Sequence, residues 1–75
     1  VYLRASENGD AAAVGKAITA LTRAVELDTA SAAAWTSLGI ARLRAGDAAG
    51  AERDLRESLT HPPVPPETYR ALADV

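Results

Sequence analysis

The sole histidine, His61, is the first residue to consider for chemistry, because histidine can exchange a proton near neutral pH. A metal site would need His61 together with several carboxylates, since the chain has no cysteine, and the nearby carboxylates stand at unrelated spacing. A general base also needs a partner nucleophile, and one histidine in 75 residues supports no Ser-His-Asp set. We therefore expect His61 to be a loop residue and predict no enzyme activity, metal or cofactor.

Two further segments have the composition of ligand-binding motifs. The stretch from Gly9 to Gly15 lacks the Lys-Ser/Thr ending of a phosphate-binding loop, and it lies where a helix is predicted. The segment Pro62-Pro63-Val64-Pro65-Pro66 has overlapping P-x-x-P spacings, which in polyproline II form dock on aromatic-lined domains. Because proline is also common just past helix ends, we interpret this segment as a stiff loop.

Composition limits the classes of function. The formal net charge is -2 and 48% of the residues are hydrophobic, so the clustered basic surface of a nucleic-acid-binding protein is not expected. No apolar run approaches the ~18–20 residues that span a bilayer, which argues against membrane insertion. Alanine is abundant and aromatic residues make up 4% of the chain, a balance that favours closely packed helices. We expect an all-α protein.

The spacing of apolar residues predicts a first helix from about Asp10 to Leu27. Its polar side carries Lys16, Thr19, Arg23 and Glu26, and its apolar side is formed by residues three and four positions apart: Val14, Ala17, Ile18, Leu21, Ala24 and Val25.

Capping residues set the bounds of three further helices. Ser31 is expected to cap a helix over Ala32–Ala45, which Gly46 ends. Asp47 is expected to cap a third helix that reaches Leu59, and a fourth begins near Pro66. The third helix should turn Ala51, Leu55 and Leu59 inward and form the solvent-facing pairs Glu52/Arg56 and Arg53/Glu57.

The helices repeat with a period of 34 residues, which aligns Ala17 with Ala51, Leu21 with Leu55, Trp35 with Tyr69 and Leu38 with Leu72. On these residues the chain resembles the tetratricopeptide repeat family, whose unit has the pattern W-x2-L-G-x2-Y, then A-x3-F, then P. The matching residues are Trp35, Leu38, Gly39, Gly46-Asp47, Ala51, Leu55 and Pro63. Trp35 and Leu55 are expected to fill the space beside a close approach of Gly39 to Ala51.

Three features depart from the family pattern. Arg42 replaces the usual Tyr and Ser58 a usual Ala, and the first unit is too long. We expect its extra residues to widen a turn at Ser6–Asn8 and to lengthen the helix that follows.

The resemblance implies an α-solenoid of antiparallel helix–turn–helix repeats. Residues 1–31 would form a partial, elongated first repeat, residues 32–65 one complete repeat, and residues 66–75 the start of a following one. Both ends have the pattern of a helix interior, so we expect the chain to be a piece of a longer protein. Because solenoid units bury their faces only against neighbours, end-to-end self-association of the isolated chain is also expected.

The function that the resemblance implies is non-catalytic protein–protein interaction, with a peptide or partner helix bound in a concave groove. Two further candidates for the groove lining are Leu3 and Arg4. The predicted lining itself consists of Ala33, Thr36, Ile40, Leu43, Arg44, Arg70 and Asp74. The arginines could pair with carboxylates, so the expected partner has apolar anchors and some acidic character. Two alternatives stay open: a structural spacer or oligomerisation segment of a larger assembly or secretion protein, and an accessory region of an enzyme whose catalytic domain lies elsewhere.

Overall fold

Four α-helices follow one another along the described backbone. The computed structural model describes the backbone of residues 2–75 and the side chains of residues 12–75. The helices are α1 (Tyr2–Leu27), α2 (Ala32–Arg44), α3 (Ala48–Ser58) and α4 (Pro66–Asp74), and the described backbone contains no strand. The predicted all-α class is confirmed.

The predicted caps of the two central helices are present. Ser31 Oγ accepts a hydrogen bond from the backbone N–H of Ala34 at 3.2 Å, and Asp47 Oδ1 accepts one from Gly50 at 2.9 Å. Gly46, between the two helices, has a φ of +88°, the left-handed conformation that glycine adopts without steric cost. The bounds of α2 and α3 therefore lie within one residue of those predicted.

The first helix differs from the prediction at its start. It begins at Tyr2 rather than near Asp10, and its backbone runs without a turn through Ser6–Asn8. No proline stands in this region, and a glycine such as Gly9 costs an exposed helix only about 1 kcal/mol. The Gly-Asp pair at residues 9–10 is therefore too weak a signal to end a helix by itself. The side chains of Leu3 and Arg4 lie outside the described residues.

Helix α2 is the central element. It packs against α1 on one side and α3 on the other, and α4 packs against both α3 and α2. A methyl group added at Gly39 of α2 would lie 2.7 Å from Leu55 Cγ and 3.2 Å from the Ala51 carbonyl oxygen of α3. The expected close approach of these two helices is present, and it requires glycine at this position. The buried apolar residues are Val25, Ala32, Leu38, Ala41, Ala51, Leu55 and Ala71.

Several side-chain predictions can be compared directly. The Glu52/Arg56 pair is present, with Arg56 Nη2 2.6 Å from Glu52 Oε2. The predicted inward position of Leu59 is wrong: the residue is 38% exposed, because it follows the last helical residue of α3. Trp35 is only half-buried, and its Nε1 donates to the Thr29 carbonyl oxygen at 2.9 Å.

The polar side of α1 was predicted correctly. Lys16, Thr19, Arg23 and Glu26 are exposed, whereas Val25 is buried. Among the described residues, no helix combines the length and the apolarity needed to cross a membrane.

Candidate functional site

An open pocket of about 350 Å³ lies between α2 and α4. Helix α2 contributes Ile40 and Leu43, and α4 contributes Ala71. These three side chains give the pocket an apolar surface. Four charged residues complete its lining: Arg44, Glu67, Arg70 and Asp74.

The charges around the pocket balance. Arg44 and Arg70 carry two positive charges, and Glu67 and Asp74 carry two negative ones. Among residues 12–75, none of these four side chains forms an ion pair with another. The positive charges of Arg44 and Arg70 are therefore offset by two carboxylates on α4.

The structure brings five of the seven predicted groove residues together. Ile40, Leu43, Arg44, Arg70 and Asp74 all line the pocket. Sequence reasoning missed Glu67 and Ala71. Their spacing could have identified them. Glu67 lies three positions before the predicted Arg70, and Ala71 lies three positions before the predicted Asp74, so all four share one face of α4.

Two predicted groove residues lie elsewhere. Ala33 is exposed on α2 and does not line the pocket. Thr36 is 3% exposed, so a partner cannot reach it. The prediction that Thr36 lines the groove is wrong. Its hydroxyl contacts hydroxyl groups of α3 and α4, so the side chain lies in the interior.

Thr36 belongs to a cluster of three buried hydroxyls, one from each of three helices. Thr36 Oγ1 lies 2.8 Å from Ser58 Oγ and 2.5 Å from Thr68 Oγ1, and the latter two atoms are 3.3 Å apart. In such a triangle each hydroxyl can donate one hydrogen bond and accept another. The cluster satisfies its own polar groups in the core and joins α2, α3 and α4. It also explains why serine is accommodated at position 58.

Arg42, the other departure from the family pattern, forms an ion pair across the α2–α3 turn. Its Nε lies 2.7 Å from Asp54 Oδ2, although the N–H direction does not meet hydrogen-bond geometry, and its Nη1 lies 3.5 Å from Asp47 Oδ2. Burial raises the pKa of the Asp54 carboxyl above its ordinary value, and the nearby positive charges of Arg42 and Arg53 offset this only in part. The pair therefore joins α2 and α3.

His61 lies just after α3, outside the helices. Its Nε2 is 2.9 Å from Glu57 Oε2, four residues earlier, so Glu57 pairs with His61 instead of the predicted Arg53. In the part of the chain with described side chains, no three His, Asp or Glu residues are grouped closely enough to hold a metal ion.

No protein-family model, curated protein or solved structure matches this chain.

Proposed function

We propose that this chain is a helical-repeat segment that binds a partner protein in the groove between α2 and α4. The partner segment is a peptide or a helix with apolar side chains, which would cover Ile40 and Leu43 beside the buried Ala71. Arg44 and Arg70 would pair with one or two carboxylates beside those anchors, while Glu67 and Asp74 limit how acidic the segment can be. The observation that carries this proposal is the apolar pocket between the two helices.

The dimensions and the chemistry of the pocket support a binding role. A volume of about 350 Å³ falls within the ~300–1,000 Å³ typical of ligand-binding pockets. Helix-in-groove recognition uses apolar anchors of this kind, with charged residues at the rim that set orientation. Ile40 and Leu43 are half-buried, so covering them with a partner would remove further apolar surface from water.

We also propose that the four helices belong to a tetratricopeptide-type solenoid. Support comes from the packing of each helix on the next in sequence, together with the contact of α2 with α4. In a helical-repeat stack, the first helices of consecutive repeats meet in the same way. The close approach of Gly39 to Ala51 and Leu55 adds support, because these are three of the residues on which the family resemblance is based.

A binding experiment with a matched control tests the groove. The intact protein would be used as bait in three forms: wild type, the groove variant Ile40→Arg with Leu43→Glu, and the control Ser37→Glu. Ser37 is exposed on α2 and does not line the pocket. Circular dichroism would show that each form keeps its helices.

We expect a specific partner, identified by mass spectrometry, to be retained by wild type and control and lost from the groove variant. Charge reversal at Arg44 and Arg70 should weaken the same partner without abolishing it, since rim charges contribute less than buried anchors. Equal recovery of every partner by the groove variant would exclude this groove and favour the spacer or oligomerisation role.

A further inference from the structure

The cluster of buried hydroxyls adjoins the groove between α2 and α4 through both helices. On α2, Thr36 precedes the groove residues Ile40 and Leu43 by four and seven positions, so the three residues share one side of the helix. On α4, Thr68 precedes the groove residue Ala71 by three positions and shares its side in the same way. The contact between the Thr36 and Thr68 hydroxyls therefore lies about one helical turn from the apolar part of the groove.

Thr68 is the residue through which hydrogen bonds connect α4 to its neighbours. Its hydroxyl lies 2.5 Å from that of Thr36 on α2 and 3.3 Å from that of Ser58 on α3. Among residues 12–75, no other hydrogen bond or ion pair joins α4 to α2 or α3. The other buried residue of α4 is Ala71, with a single methyl group. Because apolar contact is non-directional, the hydroxyls supply the directional restraint on α4.

We propose that Thr36, Ser58 and Thr68 are positioning residues for the groove, whose hydroxyls hold α4 at one distance from α2 before a partner arrives. This inference rests on the binding function proposed above. Without the hydroxyl contacts, α4 would sample several positions, and only some of them would match the partner. The three residues are 3%, 0% and 0% exposed, so they would influence the affinity for a partner that cannot touch them.

Substitutions at Thr68 separate the effect of the hydroxyl from that of packing. Thr68→Val removes the hydroxyl, nearly keeps the shape, and leaves the 2.8 Å contact between Thr36 and Ser58. Thr68→Ser keeps the hydroxyl and removes a methyl group. If the hydroxyl positions α4, the serine variant behaves as the wild type does; if packing positions it, the valine variant does. Ser58→Ala is the matched control, because it leaves the 2.5 Å contact between Thr36 and Thr68.

Pairs of spin labels would measure the width of the groove directly. The chain contains no cysteine, so Arg44→Cys with Arg70→Cys places one label on each wall of the groove. A second pair, Ser37→Cys with Arg56→Cys, reports the separation of α2 and α3 from exposed positions outside the groove. Pulsed electron paramagnetic resonance gives the distribution of distances for each pair, and circular dichroism the helix content of each variant.

We expect Thr68→Val to broaden the distribution between positions 44 and 70 at least about two-fold and to leave that between positions 37 and 56 unchanged. Thr68→Ser and Ser58→Ala should give the wild-type distributions for both pairs. Thr36→Val removes the same contact from the α2 side and takes the place of Thr68→Val if that variant loses its helices.

Four results would overturn the proposal. The first is an unchanged distribution between positions 44 and 70 in a folded valine variant. The second is equal broadening of both label pairs in Thr68→Val, which would mean that the cluster holds the whole fold rather than the groove. The third is a broadening by Thr68→Ser that matches that by Thr68→Val. The fourth is loss of helix content in both valine variants.

A peptide selected for the groove tests the consequence for binding. The probe is a short peptide from a phage-displayed library that is retained by the wild type and rejected by the groove variant Ile40→Arg with Leu43→Glu. Fluorescence anisotropy would measure its dissociation constant for each form of the intact protein. We expect Thr68→Val to raise this constant about five-fold or more, and Thr68→Ser and Ser58→Ala to change it by less than about two-fold.

The two measurements distinguish a failure of this inference from a failure of the binding function. If no selected peptide depends on Ile40 and Leu43, the groove is not the proposed binding site, while the label distances still decide whether the hydroxyls position α4. If a peptide binds in the groove and Thr68→Val binds it as tightly as the wild type does, the binding function stands and the positioning role is wrong.

Discussion

At the scale of single residues, Gly39 is the position where α2 and α3 approach most closely. Replacing it with alanine adds a methyl group 2.7 Å from Leu55 Cγ and 2.9 Å from its Cδ2. Overpacking of this kind costs about 1–3 kcal/mol. The higher helix propensity of alanine compared with glycine offsets about 1 kcal/mol of this cost.

Gly15 is the matched control for this substitution, because nothing lies within 4 Å of a methyl group added there. We expect Gly39→Ala to lower the free energy of unfolding, measured by urea denaturation, and Gly15→Ala to raise it by about 0.5–1 kcal/mol. A stabilising Gly39→Ala would show that α2 and α3 are further apart than the structure has them.

Asp54 gives a prediction about pH. Its pKa in the folded protein lies above the ordinary value of 3.8, mainly because the carboxyl is buried. The folded protein therefore binds this proton more tightly than the unfolded chain. The stability that this contributes is complete below the ordinary pKa and is lost as the pH rises through the raised pKa.

An Asp54→Asn variant does not titrate at this position. We expect the free energy of unfolding of the wild type, relative to this variant, to fall as the pH rises from below 3.8 through the raised pKa of Asp54. Asp28→Asn, at an exposed position, controls for the change in formal charge. A relative stability that rises with pH would mean that the attraction of Arg42 outweighs the burial of the carboxyl.

At the scale of the helices, the three buried hydroxyls determine how α4 is held. Removing Ser58 Oγ leaves the 2.5 Å contact between Thr36 and Thr68, whereas removing Thr36 Oγ1 leaves only the 3.3 Å contact between the other two. We therefore expect Thr36→Val to cost about 1–3 kcal/mol and Ser58→Ala about 0.5–1.5 kcal/mol in unfolding free energy.

Thr19→Val provides the control for this comparison, because the Thr19 hydroxyl is exposed on α1. The measurement is urea denaturation followed by circular dichroism. If Ser58→Ala were the more damaging of the two core substitutions, the hydroxyl of Thr36 would not be the centre of the cluster.

The helix bounds that were predicted correctly depend on local chemistry. Ser31, Gly46 and Asp47 each act on backbone groups within a few residues, so the sequence alone identifies them. The predicted start of α1 near Asp10 is wrong: the helix continues through Gly9-Asp10, whereas Gly46-Asp47 separates two helices. Gly46 adopts a left-handed φ where two packed helices meet, and that requirement comes from tertiary packing rather than from the dipeptide.

The groove residues also depend on tertiary packing that the local sequence does not show. The family resemblance predicts that Ile40, Leu43 and Arg44 line a groove, and the structure brings them together around one pocket. Periodicity could not show that Thr36 is buried, because α4 supplies Thr68, one of its two hydrogen-bonding partners, from 32 residues away. A residue covered by a third helix cannot be identified from the pattern of its own helix.

At the scale of the whole molecule, the small core makes any partner that binds the folded chain important for stability. Among residues 12–75, four of the seven buried apolar residues are alanines, each of which removes little apolar surface from water: Ala32, Ala41, Ala51 and Ala71. Domains of this size have free energies of unfolding near the low end of the usual ~5–15 kcal/mol. A contact made only by the folded chain therefore adds a noticeable fraction.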